Sequence, residues 1–441
     1  MNDAASKALV ALGMSLILGS SGSAQDSDER LAGRLQKLDE KFLPALVELA
    51  KKYDQARDAE AAHWLASCAV ALGSKDADAL KIKSAWELDL FVGKVRGGEV
   101  LKDANPIDTA LRGSAHEYKK FVDTLVLEAR RKGLGEGAKG VLHDAVVRQE
   151  LARGAADYIQ VVQQVNSLRR GMGLRAVLWD ADRSPRLILA AWYTGETGDW
   201  EYREPQKESV FYSAAIDVAK EQTTRVFRLM SVVPDILRSV ALGRQELLNP
   251  NARRLWLAHW GGGKLIEGVT IYAVPQLPYR EDIPTPSQRY QGGTVSKDWV
   301  DTEHVFEVGG RKVPYVRYPY PDEADAPWAF AHGREGLEAP WAKSEHAYLE
   351  KAGIPIMLRF FAEDLNLSEV ESTLSDPSGK RCPCRVYLNG DKRAALDSKR
   401  PTILLVPAEQ LRRASTYSIQ IKCKLNGVQF DQSWSFTTRA K

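Results

Sequence analysis

The chain has 441 residues, of which 44% are hydrophobic and 27% are charged, a composition typical of globular protein. Its 61 basic and 58 acidic residues nearly cancel to a formal charge of +3 and are interspersed along the chain. Because nucleic-acid binding needs a clustered basic surface, the charge gives no support for a nucleic-acid partner. Four cysteines are too few for a disulfide scaffold, so the fold must depend on buried cores, and the length allows about two to four domains.

Residues 1–24 have the pattern of a cleavable signal peptide. Lys7 supplies a short positive region, and residues 8–18 form an apolar run that is too short to span a bilayer. Small residues at Gly22 and Ala24 predict cleavage before Gln25. The alternatives are an uncleaved anchor helix and an ordinary buried helix. We therefore expect an exported chain, in the periplasm, at the cell surface or secreted, with no membrane span after cleavage.

Residues 25–150 are predicted to be helical, because apolar residues from 31 to 49 and from 61 to 72 recur at helical spacing. The order of helix, short turn and helix resembles a tetratricopeptide-type hairpin. The sequence shows no clean repeat of about 34 residues, however, so a solenoid is not supported. A longer helix over about 109–132 ends at the glycine-rich residues 133–140, which we interpret as a flexible interhelical loop. This stretch spells the dinucleotide-binding fingerprint, but it follows a helix rather than a strand.

Three aromatic residues of this helical region, Trp64, Trp86 and Phe91, allow two interpretations. They are anchors that dock a partner in a groove, or they are core residues. Aromatic residues at helical spacing are more often core, and we favour that interpretation.

Residues 151–280 are predicted to mix helices with a strand. Helices are expected over about 152–170, from Ser184 to Tyr193, and over about 214–230 and 234–242. The alternating, β-branched residues 265–274 predict a strand.

Residues 281–345 are rich in Pro, Gly, Tyr and Trp and are predicted to be a connector. It carries one short hairpin, 305–308 and 312–316, turned at Gly309-Gly310. Residues 346–441 predict an antiparallel β-sandwich, with strands at 354–361, 403–406, 416–423 and 433–438 and turn signals between them. The expected fold class is therefore α+β with several domains.

The four cysteines are Cys68, Cys382, Cys384 and Cys423. Cys382 and Cys384 are too close to bridge one another comfortably, so one of them paired with Cys423 is the natural disulfide. Cys384 is the preferred candidate, because Cys382-Pro383 looks like the entry to a strand. Free thiols are the alternative. Cys-Pro-Cys with one distant cysteine lacks a fourth nearby ligand, so we predict no metal site and no cofactor.

The central region resembles the CAP superfamily of cysteine-rich secretory proteins, antigen 5 and pathogenesis-related proteins. The resemblance is carried by Val165-Asn166-Ser167-Leu168-Arg169, by Gly173-Leu174-Arg175-Ala176-Val177 with Asp180, and by Leu247-Leu248-Asn249-Pro250. It implies an α-β-α sandwich over residues 151–280.

The same resemblance implies two cleft histidines, one on the second helix and one before an arginine. Those positions here are Ala190-Ala191 and Gly243-Arg244. A domain that lacks both histidines keeps the fold without their metal-binding or proton-transfer chemistry. The candidate cleft residues that remain are Arg203, Glu204, Arg244 and His259.

The C-terminal stretch is similar to the last strands of bacterial Ig-like domains. The similarity lies in Thr416-Tyr417-Ser418-Ile419, Asn426-Gly427 and Ser433-Trp434-Ser435-Phe436-Thr437-Thr438. Tyr417 and Ile419 fall on one face of a strand, and Trp434 and Phe436 fall on one face of the next. Directly paired strands would stack these side chains into a core. The similarity implies an adhesion or spacer module.

The leading hypothesis is an exported, non-catalytic binding or structural protein of the cell envelope or extracellular space. Its partner would be an unidentified protein or envelope ligand. The mature chain has no nucleophile elbow, P-loop or His-Glu-x-x-His motif. The alternative is a hydrolase with a remodelled cleft, in which Glu204 is the base near His259 and Arg203 and Arg244 bind an anionic substrate.

Overall fold

A computed structural model describes residues 22–91, 105–181, 183–197, 209–213, 224–229, 248, 254–260, 269–275, 304–329, 352–362, 364–391 and 400–440. Most of the predicted signal peptide and the predicted helix 234–242 lie outside these residues.

Helices occupy the N-terminal half of the described chain. They are α1 (Gly22–Gln55), α2 (Ala59–Ala71), α3 (Ala77–Phe91), α4 (Asn105–Lys132), α5 (Glu136–Gly171) and α6 (Ser184–Thr197). Asp58 caps α2 by accepting a hydrogen bond from the Ala61 amide at 3.1 Å. Gly133, with a φ of +74°, follows the end of α4. The helical N-terminal region is thus confirmed. No helix within the described ranges has the length and apolar character needed to cross a membrane.

The glycine-rich stretch 133–140 is mostly helix rather than the interhelical loop that we predicted. Gly135 is the N-cap of α5, and the residues after it form the first turns of that helix. Helix α5 then continues to Gly171, across the predicted domain boundary at residues 150/151. Val146 and Ile159 lie on the two sides of that boundary, and both belong to one hydrophobic core.

A four-stranded sheet follows the helices in the order β1-β3-β4-β2. Its strands are β1 (Leu178–Trp179), β2 (Thr224–Leu229), β3 (Arg254–Trp260) and β4 (Val269–Pro275). β1 pairs with β3 in parallel, and the other pairs are antiparallel. The predicted helix over 214–230 is therefore wrong at residues 224–229, which pair with β4. The strand predicted at 265–274 is present as β4.

The C-terminal half contains two further sheets that share one core. The five-stranded sheet has the order β10-β11-β8-β6-β5, and the four-stranded sheet has the order β7-β13-β12-β9. Their strands are β5 (Val305–Val308), β6 (Arg311–Tyr318), β7 (Glu323–Ala326), β8 (Ile356–Phe360), β9 (Leu367–Ser375), β10 (Cys384–Leu388), β11 (Thr402–Pro407), β12 (Thr416–Leu425) and β13 (Val428–Thr438). β7 pairs with β13 in parallel, so the second of these sheets is mixed rather than purely antiparallel.

The predicted hairpin at Gly309-Gly310 is confirmed, since β5 and β6 pair directly across it. Both glycines have positive φ, +59° and +77°, as a tight two-residue hairpin turn requires. Its strands do not belong to a connector, however. β6 pairs with β8, so this part of residues 281–345 is built into the five-stranded sheet.

The predicted face-to-face stacking on β12 and β13 is also confirmed. Tyr417 lies opposite Phe436, and Ile419 lies opposite Trp434. The two rings of the first pair stack with centroids 5.8 Å apart. All four side chains are buried, so this pair of strands forms one wall of the sandwich core.

The sandwich contacts the end of α5. Leu168 and Met172 belong to the sandwich core rather than to the helical core. A Cβ added to Gly171 would lie 2.7 Å from the Tyr320 ring, so any other residue here would require that ring to move.

Candidate functional site

The four predicted cleft residues are only partly within the described chain. Arg203, Glu204 and Arg244 lie outside it. His259 lies on β3, where its backbone is paired with Thr270 on β4. Convergence of Glu204 and His259, which the hydrolase alternative requires, therefore stays a hypothesis.

The helix that should carry a cleft histidine packs into the core instead. Ala190 and Ala191 of α6 are 0% and 1% exposed, and both belong to the core of the helical half. Helix α6 also packs against β3 and β4. Methyl groups thus fill the positions at which the CAP resemblance implies a histidine facing a cleft.

Asn166, the first polar residue of the CAP-like motif, joins α5 to the segment that enters β1. Its Oδ1 accepts a hydrogen bond from the Val177 amide at 2.7 Å, and its Nδ2 donates to the Val177 carbonyl at 3.1 Å. Asn166 is 0% exposed. The side chain therefore satisfies the hydrogen-bonding needs of both backbone groups of Val177, which lies in no helix or strand.

Arg169 makes a second tie at the same place. Its Nε donates to the Arg175 carbonyl at 2.7 Å, and its own carbonyl accepts from the Leu174 amide at 2.9 Å. Burial lowers the pKa of the Arg169 guanidinium to about 9. The Asn-x-x-Arg spacing thus positions two side chains, one turn apart, against one returning loop.

Asp180 organises the start of α6. Its Oδ1 accepts a hydrogen bond from the Arg183 amide at 3.1 Å, and its carbonyl accepts from the Ser184 amide at 3.0 Å. Its own amide donates to the Leu255 carbonyl on β3 at 3.0 Å. Asp180 therefore links the helix to the sheet, and the motif residues act as structural ties.

Buried and partly buried polar residues also join the start of α2 to α5, a feature that the sequence patterns did not reveal. Arg170 donates to Glu60 at 2.9 Å, and Gln163 donates to both carboxylate oxygens of Asp58 at 3.0 Å. Burial raises the pKa of Asp58. In the sequence, such a contact is signalled by a charged or amide residue on a helix face that is otherwise apolar.

The proposed partner anchors behave as core residues where they are described. Trp64 is 0% exposed and packs against Tyr158 and Trp179, with ring centroids 5.7 and 5.2 Å apart. Trp86 is 7% exposed and donates to Asp54 at 2.7 Å. The Phe91 side chain lies outside the described residues.

In the sandwich, Arg317 on β6 brings a guanidinium between the sheets. Its Nη1 donates to Gln432 Oε1 at 3.2 Å, and its Nη2 lies 3.4 Å from His304 Nε2. The guanidinium carbon lies 5.7 Å and 5.8 Å from the ring centroids of Tyr315 and Trp434. This is an aromatic and amide cage for a cation.

The cage supplies no counter-ion to Arg317. The side chain is 9% exposed, its Nε has no hydrogen-bond partner, and no carboxylate of the described chain forms an ion pair with it. Burial lowers the pKa of the guanidinium. The sequence patterns did not reveal this residue, although an arginine two positions from Tyr315 on a strand falls on the same inward face.

The predicted disulfide is not formed in the structure, which has four free cysteines. Cys384 lies on β10 of the five-stranded sheet, whereas Cys423 lies on β12 of the other sheet, where it is fully buried in the core. Burial raises the pKa of both thiols to about 12, so they are protonated at neutral pH. Cys382 is half-buried beside Cys384.

No protein-family model and no curated protein sequence matches the chain. Among solved structures, it is similar to a crystal structure of a DUF4426 family protein from Pseudomonas aeruginosa PAO1, at 12% identity and a TM-score of 0.19. The match covers 32% of this chain and 99% of that one. These comparisons identify no family for the chain.

Proposed function

We propose that this chain is an exported binding or structural protein of the cell envelope or extracellular space, without catalysis in its central region. The observation that supports this most is the burial of Ala190 and Ala191, at 0% and 1% exposure. The CAP resemblance implies a catalytic or metal-binding histidine at this position, facing a cleft. In this chain the position is part of the core.

The neighbouring motif residues support the same proposal. The side chains of Asn166 and Arg169 both form hydrogen bonds with backbone groups of the following loop, and these bonds hold the end of α5 to that loop. An imidazole in place of either alanine would overpack the core, at a cost of about 1–3 kcal/mol. The CAP-like region therefore serves as a scaffold, and binding is the task of other surfaces.

The hydrolase alternative is tested by assaying the purified chain against ester, amide and phosphoester substrates. Glu204→Gln and His259→Ala are the matched variants, because the alternative assigns its chemistry to those side chains. We expect the wild-type chain and both variants to give the same background rate. A hydrolysis rate that both variants abolish would overturn the non-catalytic proposal.

Export is tested by placing residues 1–30 before an alkaline phosphatase that lacks its own signal. That enzyme is active only after export, because its disulfides form in an oxidising compartment. We expect activity, and we expect its loss when Leu12→Arg interrupts the apolar run. Equal activity of the two fusions would contradict a signal peptide at this position.

The envelope ligand is tested by co-sedimentation of the chain with purified cell-wall sacculi and with envelope membrane vesicles. We expect the chain to sediment with one of them and to remain in the supernatant without it. A chain that stays in the supernatant with both fractions does not bind an envelope polymer or membrane component.

A further inference from the structure

Two edge strands of the sandwich border an open cleft with a volume of about 380 Å³. β9 is the last strand of the four-stranded sheet, and β10 is the last strand of the five-stranded sheet. Cys382 and Cys384 both line this cleft, together with Leu374, Arg381 and Val386. Both cysteines therefore border the same space, and neither is fully buried.

The backbone holds the two cysteines in place from both sheets. The Cys382 amide donates to the Leu374 carbonyl on β9 at 2.8 Å, whereas Cys384 is paired with Pro407 on β11. Between them, the Pro383 carbonyl accepts a hydrogen bond from the Ala408 amide at 2.9 Å. Cys-Pro-Cys is thus the point at which the chain crosses between sheets, and the Pro383 ring restricts its backbone further.

This geometry suits a bound ion better than a bond between the two sulfurs. In an extended segment, residues two apart lie on the same side with Cβ atoms about 6.6 Å apart. A disulfide needs Cβ atoms only about 3.8 Å apart. A single ion can instead lie between two sulfurs that approach it from opposite sides.

The donor atoms select the kind of ion. Thiolate sulfur is a soft ligand that favours Cu(I), whereas structural zinc sites need four ligands. Within the described ranges, no three or more His, Cys, Asp or Glu side chains converge to hold a metal ion. A monovalent soft cation with linear coordination needs only the two sulfurs that are present.

We propose that Cys382 and Cys384 form a two-coordinate binding site for Cu(I) at the open side of the sandwich. The two thiol protons leave to solvent on binding, and the copper stays monovalent, so no oxidant or reductant is consumed. The site is independent of the proposed function. It lies in the C-terminal β region, outside residues 151–280.

The test is an anaerobic titration of the reduced full chain with Cu(I) held by bicinchoninate, whose coloured complex reports competition. We expect uptake of one Cu(I) per chain, and an affinity at least about tenfold lower in Cys382→Ser and in Cys384→Ser. Cys68→Ala and Cys423→Ala are matched controls, since both thiols are fully buried and distant from a second sulfur in the sequence. These two variants should bind as the wild-type chain does.

A second measurement needs no variant and therefore does not depend on folding of a mutant. Native alkylation followed by peptide mass spectrometry should show that Cu(I) protects Cys382 and Cys384 together. Failure to compete with bicinchoninate would overturn the proposal. So would unchanged binding by a variant that carries both Cys382→Ser and Cys384→Ser, or alkylation of both thiols at the same rate with and without Cu(I).

Discussion

Two ion pairs of the helical half and one arginine of the sandwich hold their charges with different kinds of partner. In the helical half, acidic groups meet arginines across helix interfaces: Glu60 of α2 lies 2.9 Å from Arg170 of α5, and Asp39 of α1 lies 2.8 Å from Arg148 of α5. In the sandwich, Arg317 meets an amide oxygen, an imidazole and two aromatic rings, and no described carboxylate pairs with it.

The difference follows from how the elements are held together. Helices satisfy their backbone groups internally, so only side chains determine how two helices cross. Directional ion pairs in such an interface help to specify one arrangement. Strands are already placed in register by their hydrogen-bond ladders, as β12 and β13 are over ten residue pairs. A buried charge in the sandwich is therefore not needed for register.

The strongest test of this contrast is Arg170→Met. The Glu60 side chain is 0% exposed, so removing its guanidinium partner leaves a carboxylate in the core with weaker compensation. We expect the free energy of unfolding to fall by about 3 kcal/mol, measured by urea denaturation with the helical circular dichroism signal. Lys119→Met is the matched control, because its pair with Asp123 is exposed on α4 at 60% and 59%; it should lose about 0.5 kcal/mol or less.

Asn166→Ala should have the next largest effect. The variant leaves the amide and carbonyl of Val177 buried without their partners, which costs about 2–3 kcal/mol in the same denaturation experiment. Ser167→Ala, at the adjacent and less buried position, should change stability by about 0.5 kcal/mol or less. Equal losses of stability in the two variants would show that the Asn166 hydrogen bonds to Val177 do not specifically stabilise the fold.

Features that depend on neighbours along the chain could be predicted from the sequence. The Gly309-Gly310 turn and the paired faces of β12 and β13 are examples, because turn chemistry and strand alternation are local patterns. Residues 224–229 were predicted as helix because their strand depends on pairing with β4, more than 40 residues later in the chain. The polar sequence of β9 gave no strand signal, and β12 supplies its pairing.

The candidate site was harder to predict for the same reason. Asn166 and Arg169 were singled out from a motif, but their roles depend on which backbone groups return to them. Cys382 and Cys384 were recognised as neighbours, whereas the cleft between β9 and β10 exists only in the folded sandwich. Arg317 became noticeable only through the groups that surround it.

Arg317→Met tests the sandwich side of the comparison. A methionine fills similar volume against Tyr315 and Trp434 without a buried charge, so we expect stability to stay within about 1 kcal/mol of wild type or to rise. The measurement is hydrogen exchange of the β12 and β13 amides, which reports the sandwich alone. Strongly accelerated exchange would show that the guanidinium holds the two sheets together, as Arg170 holds the helices.

The smallest effect is a change in pH dependence, and its sign should differ between the two halves. Burial raises the pKa of Glu150 in α5 above its ordinary value of 4.5, although the Arg153 ion pair at 2.7 Å opposes this. The stability that Glu150 contributes is complete below pH 4.5 and is lost as the pH rises through the raised pKa. Glu150→Gln removes this loss. The variant should therefore gain stability relative to wild type as the pH is raised from 4 to 7.

Asp376, in the turn after β9, should respond in the opposite direction. Its carboxylate accepts hydrogen bonds from the Ser378 hydroxyl and amide and from the Lys380 amide, at 2.6, 2.9 and 3.0 Å. The Ser378 hydrogen bond is the main reason that its pKa lies below the ordinary 3.8, so its contribution is present above pH 3.8 and disappears as the pH falls through the lowered pKa. Asp376→Asn should therefore lose stability at pH 7 and lose less at pH 3, measured by thermal unfolding at both pH values. Parallel pH profiles for Glu150→Gln and Asp376→Asn would mean that burial in the helical core and hydrogen bonding in the sandwich turn do not govern these two carboxyl groups.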